Sequence, residues 1–171
     1  MRWGIHTIED YHAETHGPLP VFYDKLIARA VLAEELGYEG FWITEHHFHW
    51  FGGAHANPLV ALSAIAARTR KLRLGTAVTL LPYWHPLKVA EEFACLDNLS
   101  NGRLDLGVGR GFFKIEYDGL GVPMSESRPR FNESLEVIRR AWTEHELTYK
   151  GQFWEFEDVE LVPKPVQKPH P

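Results

Sequence analysis

A carboxylate and three imidazoles lie close together in the sequence, at Glu45, His46, His47 and His49. They follow residues 40–44, where Phe, Trp and Ile favour a β-strand. In parallel α/β folds, ligands bind at the carboxyl ends of strands, so Glu45 and His46 are expected at the rim of the core. A histidine titrates near neutral pH, and this segment therefore predicts acid–base chemistry. A histidine-rich surface loop is the alternative that this stretch alone leaves open.

The same histidines could instead bind zinc, because imidazole nitrogen is a common zinc ligand. His46, His47 and His49 are near neighbours, and His55 follows a few residues later. Adjacent residues of an extended chain point to opposite faces, so at most part of the set can converge on one ion. We therefore predict no metal site.

A second candidate site is the glycine-rich segment from Asp105 to Gly111. It is similar to the first motif of methyltransferases that bind S-adenosylmethionine. In those proteins the motif ends the first strand and runs straight into a helix, whereas here it ends the fourth predicted strand and meets a long glycine-rich loop. Phe112 stands where a dinucleotide-binding motif would have a glycine. An S-adenosylmethionine-dependent methyltransferase therefore stays a remote alternative.

Strand and helix patterns alternate along the chain. Apolar strand patterns are predicted at residues 2–7, 40–44, 72–81 and 104–108. Helical patterns are predicted at residues 87–98 and around three sets of apolar residues: Phe22, Leu26, Ala30 and Ala33; Leu59, Leu62, Ile65 and Ala66; and Phe131, Leu135, Ile138 and Trp142.

Turn and cap residues mark the boundaries of these elements. Gly37 is predicted to end the first helix, and Asn57-Pro58 to begin the second. Glu133 is predicted on the polar side of the last helix. The segments 8–20 and 110–128 are predicted to be loops. Strand patterns on both sides of Lys150-Gly151-Gln152, at residues 147–149 and 153–156, predict a β-hairpin.

The spacing of the strands indicates the fold class. The strands that begin at Phe41, Leu72 and Leu104 are 31 and 32 residues apart, and an eight-unit β/α barrel of about 250 residues has about 31 per unit. A doubly wound sheet has similar spacing. We predict an α/β fold: the N-terminal half, about four βα units, of a TIM-type barrel with parallel strands and a small hairpin near the C-terminus.

The domain organisation follows from the same pattern. Residues 1–162 are predicted to form a single partial barrel domain, and residues 163–171 a proline-rich connecting tail. Four units do not close a barrel and would leave two strand edges open to pairing. We therefore expect a fragment, or a half that needs a partner.

Composition excludes several classes of function. The 171 residues carry 23 acids against 18 bases and a formal charge of −5, with no basic stripe for nucleic acid. No apolar run is long enough to cross a bilayer, and no signal peptide is evident. The one cysteine, Cys95, excludes an internal disulfide and is expected to pack within a helix. A cytoplasmic protein that does not bind membranes is expected.

Four motifs together resemble the bacterial-luciferase-like flavin monooxygenases. They are Glu45-His46-His47-Phe48; Leu74-Gly75-Thr76-Ala77-Val78 with Pro82 and His85-Pro86; Leu99-Ser100-Asn101-Gly102-Arg103; and Gly107-Val108-Gly109-Arg110-Gly111. The resemblance implies a β/α barrel that uses reduced flavin mononucleotide (FMN) and oxygen, through a flavin peroxide adduct, to oxidise a small organic substrate. In a sister branch it implies a deazaflavin-dependent dehydrogenase.

The resemblance also implies roles for individual residues. His46 matches the histidine beside the reactive edge of the flavin, and Glu45 matches the acid that precedes it. Ala77 and Val78 match the residues behind the isoalloxazine ring, where family members often have a cis peptide bond that does not involve proline.

Two further residues match cofactor-binding positions of the family. Arg110 matches a residue that pairs with the flavin phosphate, a role that suits guanidinium geometry. Gly109 stands at the cofactor-binding position where bacterial luciferase itself has a reactive cysteine. This departure argues against light emission, but not against an oxygenase.

The implied chemistry needs partners and a dry site. A flavin reductase would supply reduced FMN, and the aromatic residues Phe48, Trp50, Tyr83 and Trp84 would exclude water. A homo-oligomer is expected. A catalytically incomplete fragment that survives by dimerising is the alternative from a different class.

Overall fold

The computed structural model describes residues 3–171. Its main sheet has four strands in sequence order, and the paired strands run parallel, so the predicted α/β class is confirmed. The predicted start of the first strand at Arg2 lies outside the described residues. The strands are β1 (Gly4–Thr7), β2 (Gly40–Ile43), β3 (Arg73–Leu80) and β4 (Leu104–Gly109).

Six helices and a hairpin complete the described chain. The helices are α1 (Ala13–His16), α2 (Leu19–Glu35), α3 (Pro58–Arg68), α4 (Pro86–Ser100), α5 (Lys114–Gly119) and α6 (Ser127–Thr143). Short 3₁₀ turns lie at Gly53–His55, Leu81–Tyr83 and Met124–Glu126. The predicted hairpin is confirmed as the antiparallel strands β5 (Leu147–Lys150) and β6 (Glu155–Val159).

The two segments predicted as loops are partly helical. Segment 8–20 contains α1 and the start of α2, and segment 110–128 contains α5 and the start of α6. No residue of α1 is buried, and α5 has only six residues. Helices this short cannot show the apolar periodicity on which a sequence prediction depends.

The chain forms two compact units, one up to Thr79 with Arg103–Gly107, the other Leu80–Gly102 with Val108–Pro171. In the first unit, α2 buries the residues predicted from its spacing: Phe22, Leu26, Ala30 and Ala33. Asn57 caps α3 as predicted, because its side-chain oxygen accepts a hydrogen bond from the Leu59 N–H at 3.1 Å.

One indole fills one face of the sheet in the first unit. A Cβ atom added to Gly4, Gly40 or Gly75 would lie 2.1, 2.2 or 1.9 Å from atoms of the Trp42 side chain. These glycines belong to β1, β2 and β3, so each of three strands leaves room for the same ring. On the opposite side of β2, Phe41 and Ile43 are fully buried.

A carboxylate in the first unit binds the chain just before β3. Glu34 accepts hydrogen bonds from the N–H groups of Arg70, Lys71 and Leu72 at 3.0, 2.6 and 2.7 Å. Burial alone would raise the pKa of Glu34, but these three donors outweigh it and hold the pKa below its usual value. The start of β3 is therefore tied to the end of α2.

In the second unit, the apolar face of α6 differs from the predicted one. Ile138 and Trp142 are buried as predicted, and the Trp142 indole N–H donates to the Ala90 carbonyl at 2.9 Å. Phe131 and Leu135 are only half-buried. The buried face has therefore rotated toward Ser134, Val137 and Ala141.

The prediction that Glu133 lies on the polar side of α6 is wrong. Its side chain is buried, and its carboxylate accepts hydrogen bonds from the N–H groups of Gln152, Phe153 and Trp154 at 3.1, 3.0 and 2.8 Å. Gly151 allows this approach, because a Cβ there would lie 2.1 Å from the carboxylate oxygen. Glu133 thus fixes the hairpin turn to α6.

The proline-rich residues 163–171 lie against the helices of the second unit. The Gln167 backbone N–H and side-chain amide donate to the buried Asp97 carboxylate at 3.0 and 2.7 Å. The Lys164 ammonium group donates to the carbonyls of Ala141 and Glu144 at 2.7 and 2.5 Å. Cys95, expected to pack in α4, is exposed instead. Within residues 3–171 no helix is both long and apolar enough to cross a bilayer.

Candidate active site

Glu45 and His47 form a buried pair after β2. The Glu45 Oε1 and His47 Nε2 atoms are 3.0 Å apart, and the residues are 2% and 5% exposed. Residues two apart in an extended chain point to the same side, which explains why these two meet. Their burial argues against a solvated, histidine-rich surface loop.

The His46 ring contacts different residues from those that contact His47. Its ring centroid lies 5.3 Å from that of His49 and 5.6 Å from that of Phe51. His47 pairs with Glu45, and His55 lies between Phe22 and Tyr23 in the first unit. The four histidines weighed as zinc ligands therefore belong to three different environments.

Gly52 shapes the space around the His46 ring. Its φ is +69°, and a Cβ there would lie 2.7 Å from His46 Cδ2. Its backbone N–H donates to the Asp10 carboxylate at 3.1 Å, which anchors the returning chain. A glycine is needed at this position because the backbone closely approaches an imidazole.

The end of β3 carries the cis peptide bond that the resemblance implies, between Ala77 and Val78. The sheet register pairs Ile43 of β2 with Thr76 of β3. Ala77 and Val78 therefore follow the last residue of β3 that pairs with β2, just as the candidate catalytic segment follows the last residue of β2 that pairs with β3.

The backbones of β3 and β4 approach closely at the same level. The Thr76 hydroxyl donates to the Gly107 carbonyl at 2.7 Å, and a Cβ on Gly107 would lie 2.2 Å from the Thr76 carbonyl oxygen. Only glycine fits this position without moving the backbone of β3.

In the second unit, Gly109 ends β4 and Arg110 follows it. Arg110 is exposed, and no carboxylate of the described chain forms an ion pair with its guanidinium group. The Arg110 carbonyl accepts a hydrogen bond from the Tyr117 hydroxyl. Gly111 then turns the chain with a φ of +75°. The backbone of Arg110 is held, while its charge stays available to an anion.

A cluster of the half-buried Tyr83 and the buried Glu116 and Tyr117 accompanies this turn. The Tyr83 hydroxyl donates to Glu116 Oε2 at 3.2 Å, and the two tyrosine rings meet edge to face with centroids 4.8 Å apart. Glu116 and Tyr117 are fully buried. Sequence reasoning missed both residues, because they lie in a segment predicted as a loop, and assigned Tyr83 only to an aromatic wall.

Of the four predicted wall residues, Phe48 and Trp50 are exposed, whereas Tyr83 and Trp84 are half-buried. Phe48 and Trp50 are 57% and 66% exposed. Phe48 also has a φ of +63°, which is uncommon for a residue with a large side chain. The two rings therefore do not fill the core of the first unit.

The methyltransferase alternative loses its main support in the structure. The Asp105 carboxylate accepts hydrogen bonds from the Arg73 guanidinium group at 2.5 and 2.7 Å. The glycine motif ends the fourth strand of the sheet and leads through Gly111 into a helix of six residues. It does not open the long helix that such a motif requires.

The fold and the site together define the class of protein. A sheet of parallel strands in sequence order, with helical connections and polar residues after the strand ends, is the architecture of TIM-barrel proteins. The chain belongs to the luciferase-like monooxygenase family, which it matches over residues 1–171.

Three relatives illustrate the range of this family. The chain is 35% identical over 151 residues to the oxygenase component of a flavin-dependent trigonelline monooxygenase from Acinetobacter baylyi, covering 87% of this chain and 41% of that protein. It is 35% identical over 161 residues to an F420-dependent glucose-6-phosphate dehydrogenase from Amycolatopsis mediterranei, covering 91% and 47%. The crystal structure of monooxygenase RslO1 from Streptomyces bottropensis superposes with a TM-score of 0.96 and 39% identity, covering 100% and 52%. The chain thus spans about half the length of these relatives.

Proposed function

We propose that the chain belongs to a flavin-dependent monooxygenase that uses reduced FMN and oxygen to oxidise a small organic substrate. The observation that carries the proposal is the arrangement after β2, where Glu45 pairs with His47 and His46 packs separately against His49 and Phe51. The similarity to a flavin-dependent oxygenase component supports the same choice.

Each of the predicted cofactor-binding residues has the chemistry that one part of FMN would need. Arg110 is an exposed guanidinium group without an ion-pair partner in the described chain, and a planar fork of N–H donors suits a phosphate group. Gly109 precedes it and adds no side chain. Ala77 and Val78 offer small apolar groups to the flavin ring. When bound, reduced FMN would supply the two electrons that reduce oxygen.

His46 would hold or move a proton at one of its ring nitrogens. It is 9% exposed, so water has little access to the imidazole, and imidazole is the side chain best suited to proton transfer near neutral pH. The Glu45–His47 pair would fix the backbone on both sides of His46 and so orient its ring. Phe48 and Trp50 would exclude water when substrate and cofactor are present.

A second candidate is a deazaflavin-dependent dehydrogenase, in which hydride transfer replaces the reaction with oxygen. The similarity to an F420-dependent dehydrogenase favours it. The two candidates need different partners. The monooxygenase needs oxygen and a flavin reductase, as the description of one relative as an oxygenase component suggests. The dehydrogenase needs neither.

An anaerobic titration of the intact protein with reduced FMN and with a reduced deazaflavin tests the proposal. Absorbance reports binding, and oxygen is then admitted while its uptake is measured. We expect reduced FMN to bind and its oxidation rate to differ from that of free reduced FMN. Binding of the deazaflavin alone, without oxygen uptake, would select the dehydrogenase. Binding of neither coenzyme would contradict both candidates.

A further inference from the structure

The cluster of Tyr83, Glu116 and Tyr117 is here called the tyrosine cluster, and its hydrogen bonds have no role in the chemistry described so far. Tyr83 comes from the 3₁₀ turn at Leu81–Tyr83, and the other two residues come from α5. A carboxylate that is fully buried needs hydrogen-bond donors, and the Tyr83 hydroxyl is one of them. The three residues therefore form a specific hydrogen-bonded cluster within the second unit.

The tyrosine cluster contacts the backbone on both sides of the turn after β4. The Tyr117 hydroxyl donates to the carbonyl of Arg110. At the next residue, a Cβ on Gly111 would lie 2.6 Å from the Tyr83 hydroxyl oxygen and 3.6 Å from Tyr117 Cε2. The left-handed Gly111 thus fits directly against the two phenols, and the peptide between Arg110 and Gly111 has little freedom to rotate.

We propose that Tyr83, Glu116 and Tyr117 are positioning residues that fix the backbone of Arg110, so that its guanidinium group selects a phosphorylated flavin over an unphosphorylated one. The inference rests on the proposed function, in which Arg110 binds the phosphate. A long side chain loses entropy when it binds an anion, and a fixed backbone reduces the freedom that remains to be lost. None of the three side chains needs to touch the phosphate.

The protonation states of the cluster suit this role. Burial, with the nearby Glu116 carboxylate, raises the pKa of Tyr83 above its ordinary value. Burial also raises the pKa of Tyr117. Both phenols therefore remain hydrogen-bond donors throughout the neutral range, and the turn stays fixed there.

The test compares FMN with riboflavin, which lacks the phosphate, by fluorescence titration of the intact protein. In Tyr117→Phe the ring stays and only the donor to Arg110 is lost. We expect the dissociation constant for FMN to rise roughly fivefold, the equivalent of one net hydrogen bond, with that for riboflavin unchanged. The matched control is Tyr11→Phe, because the Tyr11 hydroxyl also donates to a backbone carbonyl, that of Gly17 at 2.8 Å. It should leave the FMN-to-riboflavin ratio unchanged.

Tyr117→Phe in an Arg110→Gln background distinguishes the positioning role of the tyrosine cluster from the phosphate-binding role of Arg110. If the tyrosine cluster acts through Arg110, Tyr117→Phe should no longer change FMN binding there. If Arg110→Gln is phosphate-selective but Tyr117→Phe changes both ligands equally, or neither, the positioning role is wrong and the phosphate role stands. If Arg110→Gln itself weakens both ligands equally, the phosphate role is wrong.

A second variant keeps the inference testable if Tyr117→Phe does not fold. Gly111→Ala places a Cβ against the Tyr83 hydroxyl at a left-handed residue, which should displace the backbone of Arg110, so we expect a roughly tenfold loss of affinity for FMN alone. Equal losses for FMN and riboflavin in this variant would overturn the inference.

Discussion

Two segments follow strand ends in this chain, and they are built differently. The histidine segment, residues 45–55, follows β2 and contains rings in contact with one another and exposed aromatic side chains. The arginine segment, residues 109–119, follows β4 from its last residue and is held by hydrogen bonds from the Tyr83 and Tyr117 hydroxyls. The first carries groups that can exchange protons, and the second carries a charge on a fixed backbone.

The difference between the two segments corresponds to the different requirements of proton transfer and anion binding. A group that transfers protons needs a pKa near the working pH and some freedom to change partners. A group that binds an anion needs a permanent charge and a fixed geometry, which guanidinium and a rigid turn provide. We therefore expect the histidine segment to act in proton transfer and the arginine segment to act in anion binding.

The largest effect is expected for His46. In His46→Ala, loaded with reduced FMN and mixed with oxygen in a stopped-flow instrument, hydrogen peroxide should be released up to about 100-fold faster, because the variant loses a stabilising hydrogen bond from the imidazole. A hydrogen bond to a charged group contributes about 1.5 to 3 kcal/mol. His145→Gln is the control, because His145 is exposed and lies outside the histidine segment. An unchanged rate in His46→Ala would remove this residue from the mechanism.

A smaller effect is expected for Gly52. Gly52→Ala should cost about 1 to 2 kcal/mol in the free energy of unfolding, and it should also speed peroxide release, because the new Cβ displaces the His46 ring. Gly17→Ala is a matched control, since Gly17 has a similar φ of +72° with no atom within 4 Å of the added Cβ. The control should lose stability without any change in peroxide release. Equal peroxide release in both variants would mean that the Gly52 contact does not position His46.

The smallest effect concerns pH and begins with His55. Burial lowers the pKa of His55, although the Glu9 carboxylate nearby acts in the opposite direction. The unfolded chain therefore takes up a proton at a higher pH than the folded chain. The stability from neutral His55 is present above the unfolded pKa of about 6.5 and is lost as the pH falls below it, with a slope of at most about 1.4 kcal/mol per pH unit.

Hydrogen exchange measured at pH 7.5 and 5.5, corrected for intrinsic rates, tests both the effect of His55 and the contrast between the histidine and arginine segments. Protection should fall in the histidine segment and stay constant in the arginine segment, whose phenols remain neutral at both values. His55→Phe should abolish the pH dependence in the histidine segment. Parallel loss of protection in the two segments would contradict the contrast between them.

Much of the framework was predictable because it depends on local patterns. The strand spacing, the buried face of α2 and the cap at Asn57 all follow from residues close together in the sequence. The candidate residues after β2 were also recognisable, because a carboxylate beside several imidazoles is unusual in type as well as in position.

The features that could not be predicted from the sequence depend on contacts between residues that are far apart in the chain. Glu133 binds N–H groups about 20 residues away, and Tyr83 meets Glu116 from 33 residues away. Nothing in the local sequence distinguishes these side chains from solvated ones. The sequence likewise does not show which ring Gly52 and Gly111 each make room for.

The most direct test of the central claim is the affinity of Arg110→Gln for FMN and for riboflavin. The account predicts that FMN binding weakens about 10-fold or more, as expected for loss of a charged hydrogen-bonded pair, while riboflavin binding is unchanged. Equal weakening of both ligands, or no change in either, would contradict the claim that the turn after β4 holds the phosphate of a flavin cofactor.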